Sequence, residues 1–355
     1  MKDSDTNAVP SKPSRPIGHD PANAGRNAAR DSDGFQAAGR TAQWFSWILG
    51  LATLVAAIVL ALHFSEEREF VRMAERAQPW WLLVAFVLQG GTYIAQGSIW
   101  RMVLHAAGHM VPSLVAFKLS IAKLFIDQAL PSAGLSGTVV VARAFALRGI
   151  SRATVMASVV IDGVSYYGAY VLTLAVALGI AIVGENVNPL ILVPAVCLVL
   201  FAVVLVSAAL VFAGRKGGAP HFLMRIPLLE RAIALLGEAD PALARSASLI
   251  IKGVLYHLLI TMLDVSTVWV LICSFGEIPS FTSVFMSFIA ATLLRTISIV
   301  PGGLGVYEAT SVLTLQHAGI SLPVALAATL LFRGLSFWLP MLPGLFFSRA
   351  ITSAK

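Results

Sequence analysis

Six stretches of roughly twenty or more apolar residues dominate the pattern along the chain. They lie at about 44–64, 80–104, 153–183, 189–213, 247–274 and 322–347. Because an α-helix rises ~1.5 Å per residue, about twenty such residues cross the ~30 Å hydrocarbon core of a bilayer. We therefore predict six membrane-spanning helices, of which the longest, 153–183, has enough length to tilt.

Two further regions, 112–147 and 281–318, do not fit this template. Each has an apolar arm, a break rich in proline and glycine, and a second arm too short for a comfortable crossing. The breaks read LPSAGLSG at 130–137 and VPGGLG at 300–305. Such breaks leave backbone groups unpaired, which lipid tolerates only where protein or a wet cavity satisfies them. We predict that each region is a re-entrant hairpin that enters and leaves on one face of the membrane.

The two broken regions also resemble each other at a constant offset of 170 residues. Pro131 matches Pro301, and the Gly-Ile-Ser triplet at 149–151 matches the triplet at 319–321. Three spanning helices lie between the hairpins, and this odd number makes the two repeats inverted relative to the membrane. Inverted repeats with broken helices are typical of transporters. The predicted fold is therefore an all-α integral membrane protein with six spanning helices and two re-entrant hairpins in inverted repeats.

Composition agrees with a membrane protein. Hydrophobic residues make up 57% of the 355 residues, against about 45–50% in soluble proteins, and charged residues only 12%. Residues 1–43 are polar and are predicted to be a disordered cytoplasmic tail, followed by the membrane domain at 44–347 and a short cytoplasmic tail at 348–355. Cys197 and Cys273 are the sole cysteines, which excludes a disulfide scaffold.

The loop charges predict the orientation. With the N-terminus inside, the predicted outer loops 184–188 and 275–280 carry Glu185 and Glu277 but no Lys or Arg, whereas the loop at 214–246 is basic and inside. The third outer segment, 65–79, balances its three arginines with four glutamates, which are Arg68, Arg72 and Arg76 and Glu66, Glu67, Glu69 and Glu75. This is the positive-inside pattern. We expect a multi-pass protein of the inner (cytoplasmic) membrane with both termini cytoplasmic. The basic residues lie between apolar segments, so the net charge of +7 does not indicate a nucleic-acid partner.

Ionisable side chains within the apolar segments are the candidate functional residues, because such groups are costly in lipid and usually face the protein interior or a wet cavity. They are Lys123, Asp127, Asp162, His257, Asp264, Arg295, Glu308 and Arg333. Lys123 and Asp127 are four residues apart and share a helix face, and His257 and Asp264 are two turns apart. Two interpretations stay open: ion pairs that hold the helices together, or a polar site for translocation or lipid head groups. The histidines lack metal-ligand spacing and the glycine-rich stretches lack a P-loop ending, so we expect no metal or cofactor.

Several of these residues belong to a motif of a known family. The stretch 294–345 resembles the C-terminal half of the transmembrane, flippase-like region of lysylphosphatidylglycerol synthases, and 130–167 resembles the first half more loosely. The resemblance covers about 44–347. It implies a lipid head-group or translocation site formed by Arg143, Asp162, Arg295, Pro301, Gly302, Gly303, Gly305, Glu308 and Arg333, with support from Lys123, Asp127, His257 and Asp264.

The chain departs from the family pattern at two positions. The first motif commonly carries an acidic residue after its glycines, where this chain has Thr138, and it commonly reads Asp-Arg where this chain has Asp162 and Gly163. Head-group contacts made there by relatives are not carried over, which leaves the substrate open. In the synthases, aminoacyl transfer belongs to a soluble domain that follows the membrane region. The chain ends eight residues after Phe347, so we expect the lipid-translocating half without the enzyme.

Three functions are compatible with these patterns. The leading hypothesis is a lipid translocase that moves or handles a phospholipid or a polyprenyl-type lipid, with a separate lipid-synthesising enzyme as a candidate partner. A secondary transporter of a small solute fits the inverted hairpins and buried carboxylates equally well on physical grounds. A membrane-embedded lipid-modifying enzyme would need a nucleophile or metal set near an interface, and the sequence shows no such motif.

Single-cysteine labelling tests the predicted topology. After Cys197 and Cys273 are replaced, a cysteine at Asn186 should react with an impermeant maleimide in intact cells, because the loop 184–188 is predicted to be outside. A cysteine at Gly218 should react only in inverted vesicles. Strong labelling of position 218 in intact cells would contradict the hairpin topology.

Overall fold

The computed structural model describes residues 78–129, 135–184, 189–215, 233–298 and 301–353. In these ranges the chain is helical and has no strand. The main helices are α1 Pro79–Ala106, α2 Ser113–Ala129, α3 Leu135–Ala146, α4 Arg152–Val183, α5 Pro189–Phe212, α6 Ala247–Ser274, α7 Phe281–Ile297, α8 Val306–His317, α9 Leu322–Arg333 and α10 Met341–Ser353. The predicted tail at 1–43, the first predicted spanning helix at 44–64 and the tip of the first break at 130–134 lie outside the described residues.

Five segments are long and apolar enough to cross a membrane. They are Pro79–Ala106, Arg152–Val183, Leu192–Phe212, Ala247–Ser274 and Leu322–Phe347. They match five of the six segments predicted from hydropathy, and the sixth falls on residues that are not described. Their outer surfaces are apolar, as lipid contact requires: α5, for example, exposes Leu200, Phe201 and Val204. The chain is a multi-pass integral membrane protein.

The internal repeat is visible in the lengths of the helices. α1 and α6 both have 28 residues, α2 and α7 both have 17, and α3 and α8 both have 12. α1 begins at Pro79 and α6 at Ala247, 168 residues later. The repeat thus extends from the breaks, where the sequence indicated it, back through the spanning helix that precedes each hairpin.

The repeated Gly-Ile-Ser triplets form the same turn in both halves. Gly149 and Gly319 have φ of 73° and 91°, a left-handed conformation that glycine adopts without strain. In each half the isoleucine N–H donates to a carbonyl five residues earlier: Ile150 to Phe145 at 3.3 Å, and Ile320 to Leu315 at 3.1 Å. The serine that follows is the N-cap of the next helix. The triplet therefore ends one helix and starts another.

The equivalent helices α1 and α6 pack against each other in antiparallel orientation. The Gln78 N–H, at the start of α1, lies 3.4 Å from the Ser274 carbonyl oxygen at the end of α6. Towards the other end, Val103 of α1 and Leu249 of α6 belong to one buried cluster. Two equivalent helices that pair antiparallel are related by an approximate two-fold axis, as in an inverted repeat.

Both broken regions fold back on themselves, and they start at opposite ends of this helix pair. Where α1 ends, Leu104 is buried with Phe145 at the end of α3 and with Val155 at the start of α4. Where α6 ends, Glu277 accepts hydrogen bonds from the backbone and side chain of Ser321, which follows α8. Each hairpin therefore begins and ends on one side of the bundle, as predicted. Its path relative to a bilayer stays a prediction.

The second break lies against the first hairpin in the interior of the bundle. Phe125 of α2 and Leu304 of the break are buried together with Phe337 and Met341. α10 approaches the same stretch so closely that a Cβ on Gly344 would lie 2.4 Å from the Phe125 Cβ. The helix α10 also continues to Ser353, through most of the segment predicted as a C-terminal tail.

Basic side chains gather at the end of the bundle where α1 ends and α6 begins. They are Arg101, Arg143, Arg148, Arg152, Arg215, Arg245 and Lys252. Among the described residues, the segments at the opposite end carry Glu277 and no Lys or Arg. This sorting of charge is the pattern that the positive-inside rule expects, and the inside assignment of the basic end stays a prediction.

The contact between the arms of the first hairpin generates a stability prediction. A Cβ on Gly137 would lie 2.5 Å from the Lys123 carbonyl oxygen, so Gly137→Ala should force the arms apart and cost about 1–3 kcal/mol. Gly179→Ala is the matched control, because no atom lies within 4 Å of its added Cβ. Thermal unfolding of both purified variants in detergent measures the difference. Equal melting temperatures would contradict the close approach of α2 and α3.

Candidate functional site

Four helices place polar side chains around Asp162 in the interior of the bundle. We call Gln96, Lys123, Asp127, Asp162 and His257 the first cluster. Gln96 Nε2 of α1 donates to Asp162 Oδ1 of α4 at 2.9 Å, and His257 Nε2 of α6 lies 3.3 Å from the same oxygen. From α2, Lys123 Nζ lies 3.2 Å from Asp127 Oδ2 and 4.0 Å from Asp162 Oδ2. The predicted pair Lys123–Asp127 is present, and it is joined to Asp162.

The first cluster is attached to the hairpin through the backbone of α3. Asp127 Oδ1 accepts a hydrogen bond of 2.8 Å from the Gly137 N–H, in the first turn of α3. A carboxylate at this position satisfies one of the free N–H groups of a helix N-terminus and interacts well with the helix dipole. A carboxylate from the preceding arm therefore holds the N-terminus of α3.

The second cluster consists of Asp264, Arg295, Glu308 and Arg333 beside the second break. Arg333 is 4% exposed; its Nε donates to Glu308 Oε1 at 2.6 Å and its Nη2 to the Gly302 carbonyl oxygen at 3.1 Å. Glu308 Oε2 in turn accepts from the Gly305 N–H at 2.7 Å, which caps α8. A cation, a carboxylate and the N-terminus of a short helix thus meet at both breaks.

The second break needs its glycines. Gly302, Gly303 and Gly305 have φ of 64°, 62° and 81°, a region that other L residues rarely adopt. A Cβ on Gly302 would lie 2.7 Å from the Phe337 ring, and one on Gly303 would lie 2.0 Å from Arg295 Cγ. Pro301 begins the tight, non-helical turn Pro301–Gly303 that forms the break.

Aromatic rings and a widened helical turn hold Arg333 in place. The Arg333 guanidinium carbon lies 4.5 Å from the centre of the Phe337 ring and 5.3 Å from the centre of the Tyr307 ring, so the cation lies between two π faces. Residues Gly334–Trp338 form a π-helical turn directly after it. The Tyr93 hydroxyl of α1 donates to the Leu335 carbonyl oxygen within this turn at 2.9 Å. Arg333 thus uses its Nε and one Nη2 donor within the bundle.

Arg295 is different from Arg333. Its stem packs over Gly303, yet among the described residues its guanidinium has no hydrogen bond and no ion pair within 4.0 Å. It interacts electrostatically with Asp264, whose carboxylate accepts a hydrogen bond of 3.3 Å from Gln89 Nε2. An arginine beside a helix break, with donors left over, can bind an anion such as a phosphate.

The two clusters occupy equivalent positions of the repeat. The matching pairs are Gln89 with His257, Gln96 with Asp264, Asp127 with Arg295 and Gly137 with Glu308. Asp162 of α4 and Arg333 of α9 are one position out of register. Asp127 of the first cluster is therefore replaced by Arg295 in the second. The bundle carries two related polar sites.

Comparison with known proteins places this arrangement in a family. The family model described as the lysylphosphatidylglycerol synthase TM region matches residues 47–344. The chain belongs to this family. Membership points to a function related to membrane lipids.

Two archaeal proteins are similar to this chain. A UPF0104 membrane protein of Methanothermobacter thermautotrophicus is 25% identical over 311 residues, which cover 82% of this chain and 90% of that protein. A UPF0104 membrane protein of Pyrococcus horikoshii is 28% identical over 102 residues, or 29% of this chain and 30% of that protein. The first similarity runs through both repeats of this member of the synthase TM-region family.

Not every predicted residue is brought into the clusters of this family member. Arg143 is exposed near the end of α3, at the basic end of the bundle. His257 and Asp264, two turns apart on α6, belong to different clusters, which are therefore about 10 Å apart along the helix. Gly163 has no atom within 4 Å of an added Cβ, and nothing in the structure accounts for this departure from the family's Asp-Arg.

Sequence reasoning missed the two amides Gln89 and Gln96, which bind Asp264 and Asp162. They are polar residues seven apart on an apolar helix, the same spacing that singled out His257 and Asp264 on α6. Because the two helices are repeats of each other, this spacing was a usable signal.

Removal of Glu308 should destabilise the protein. The Arg333 charge would then be buried with one carbonyl and two rings as partners, which costs about 3–5 kcal/mol. Glu308→Gln and Arg333→Met should each lower the yield of monodisperse protein and its melting temperature. The decrease in melting temperature of the double variant should be smaller than the sum of the decreases of the two single variants, since neither charge is left without its partner. Additive losses would show that the pair makes no direct contribution to stability.

Proposed function

We propose that this protein is a lipid translocase that moves a phospholipid or a polyprenyl-type lipid across the inner membrane. The observation that carries the proposal is Arg295, an intramembrane guanidinium beside a helix break whose donors are unused among the described residues. A cation is costly in this position, and an anionic head group that binds there would compensate it. Membership in a lipid-related membrane family supports the same class of ligand.

The architecture supports a path for a head group. A charged head group must cross ~30 Å of hydrocarbon, at a high cost in lost hydration. Two broken regions that start at opposite ends of the bundle supply backbone and side-chain polar groups in its interior, with Asp127 at the Gly137 N–H and Glu308 at the Gly305 N–H. A head group would exchange hydration for these groups step by step. Arg143, exposed at the basic end, is positioned to meet phosphates at the membrane surface.

In this proposal the two clusters have different tasks. Arg295 contacts the phosphate, while Arg333 and Glu308 hold the second break in its conformation. The first cluster is available to a cationic group or to a coupling ion. The chain itself carries out no enzymatic step, and a separate lipid-synthesising enzyme supplies its substrate. The N- and C-termini are cytoplasmic.

A secondary transporter of a small solute is the second candidate, because inverted repeats with broken helices are shared by many such proteins. The pairing of α1 with its equivalent α6 favours this class as much as a lipid translocase. Uptake of a labelled soluble solute by vesicles that move no lipid would support the secondary transporter and contradict the lipid translocase.

A fluorescent-lipid assay tests the proposed function. Vesicles containing the purified protein and a labelled phosphatidylglycerol, or a labelled polyprenyl phosphate, are treated with dithionite, which destroys the label of the outer leaflet alone. Wild-type protein should expose the inner-leaflet label. Arg295→Ala should slow this about 10- to 100-fold, because a charge-assisted contact contributes about 1.5–3 kcal/mol.

Two variants are matched controls for this assay. Arg148→Ala removes an arginine near the basic end whose side chain, among the described residues, bonds the Ala144 carbonyl oxygen of its own helix, and Lys118→Ala removes an exposed lysine that lies over the Phe347 ring. Both should translocate at the wild-type rate. A well-folded Arg295→Ala protein with normal lipid movement would remove Arg295 from the site. Wild-type protein that moves neither lipid would contradict the function.

A further inference from the structure

The first cluster holds a buried histidine that the proposed head-group site does not use. His257 is 6% exposed, and its Nε2 makes no hydrogen bond although it lies 3.3 Å from Asp162 Oδ1. The groups in contact with it are the Asp162 carboxylate and the Tyr166 ring of α4, the ring edge-on at 5.6 Å. Asp162 is contacted in turn by Gln96 of α1 and Lys123 of α2, and Lys123 also pairs with Asp127.

The charges of the first cluster do not balance while His257 is neutral. Two aspartates face one lysine, which leaves one negative charge uncompensated in the interior of a membrane protein. A proton on His257 Nε2 would convert its contact with Asp162 into an ion pair and bring the cluster to neutrality. In the second cluster both cations are arginines, which stay charged. The first cluster is therefore the one that contains a basic residue, His257, able to be neutral or charged.

A chain of contacts leads from His257 to the first hairpin. His257 Nε2 lies 3.3 Å from Asp162, Lys123 Nζ lies 4.0 Å from Asp162 and 3.2 Å from Asp127, and Asp127 accepts from the Gly137 N–H at 2.8 Å. When His257 is charged, Asp162 is neutralised and Lys123 is free to pair with Asp127 alone. When His257 is neutral, Lys123 is shared between both carboxylates. The protonation of His257 thus changes how α3 is held against α2.

We infer that lipid movement is coupled to the binding of a proton by His257 and Asp162. The inference rests on the proposed function and names its coupling ion. A proton from water at one membrane face forms an N–H bond at His257 Nε2, α3 shifts relative to α2, and the proton leaves to water at the other face. Because α1 and α6 carry residues of both clusters, a change in the first reaches Asp264 and Arg295 in the second.

The experiment imposes a pH gradient on vesicles that contain the full-length protein and the labelled lipid, with the membrane potential clamped by potassium and valinomycin. A trapped pH-sensitive dye records proton movement at the same time. If one proton accompanies each lipid, a gradient of one pH unit shifts the distribution of the lipid between leaflets by up to about tenfold. Addition of the lipid substrate should also start proton flux.

His257→Gln is the decisive variant, since the repeat itself has a glutamine, Gln89, at the equivalent position. In vesicles with this variant, the distribution of the lipid between the leaflets should no longer follow the gradient. His105→Gln and His317→Gln, at exposed positions near helix ends, should respond as the wild type does. A folded His257→Gln protein that keeps the full response would overturn the role of His257.

The wild-type protein alone separates the two proposals. If the rate of lipid movement and the final distribution between leaflets are the same with and without the gradient, the coupling is overturned and the translocase function stands. If it moves no lipid under any gradient, the translocase function itself is overturned. Proton flux that starts only when lipid is present supports both, whether or not the His257 variant can be purified.

Discussion

The antiparallel contact between α1 and α6 determines the rest of the structure. These equivalent helices pair along their whole length, from Gln78 against Ser274 to Val103 beside Leu249. Because they run in opposite directions, the hairpin that follows each of them starts from the opposite end of the bundle. The same pairing gives each helix one residue in each polar cluster. The two breaks, and the charges beside them, are therefore related by one approximate two-fold axis.

Within this symmetric frame the two breaks solve the same physical problem with different residues. A helix that begins inside the membrane has N–H groups in its first turn that water does not reach, and each of them needs another hydrogen-bond partner. At the first break the partner is the carboxylate of Asp127, held by Lys123; at the second it is Glu308, held by Arg333. A cation that satisfies the carboxylate completes each arrangement. The sites differ in the additional basic residue that makes no side-chain hydrogen bond among the described residues: it is His257 in the first cluster and Arg295 in the second.

This difference separates structural from functional charges. Arg333 has a carboxylate, a carbonyl and two rings as partners, so its removal should harm the fold. Arg295 and His257 carry polar atoms without hydrogen-bond partners among the described residues. The two interpretations left open by the sequence, ion pairs that hold the helices together and a polar site, both stay predictions.

The sequence by itself determined that this is a membrane protein with the five described spanning helices. It also determined the repeat around the breaks and the residues that carry charge in apolar surroundings. Hydropathy and glycine patterns are local, and the bilayer leaves helices as the main solution for such segments. Only the tertiary structure decided which charges meet. It placed His257 and Asp264 in different clusters, left Arg143 outside both, and brought the Asp127 carboxylate to the N-terminus of α3. Partners of buried charges are chosen across helices distant in sequence, by a packing symmetry that no single segment encodes.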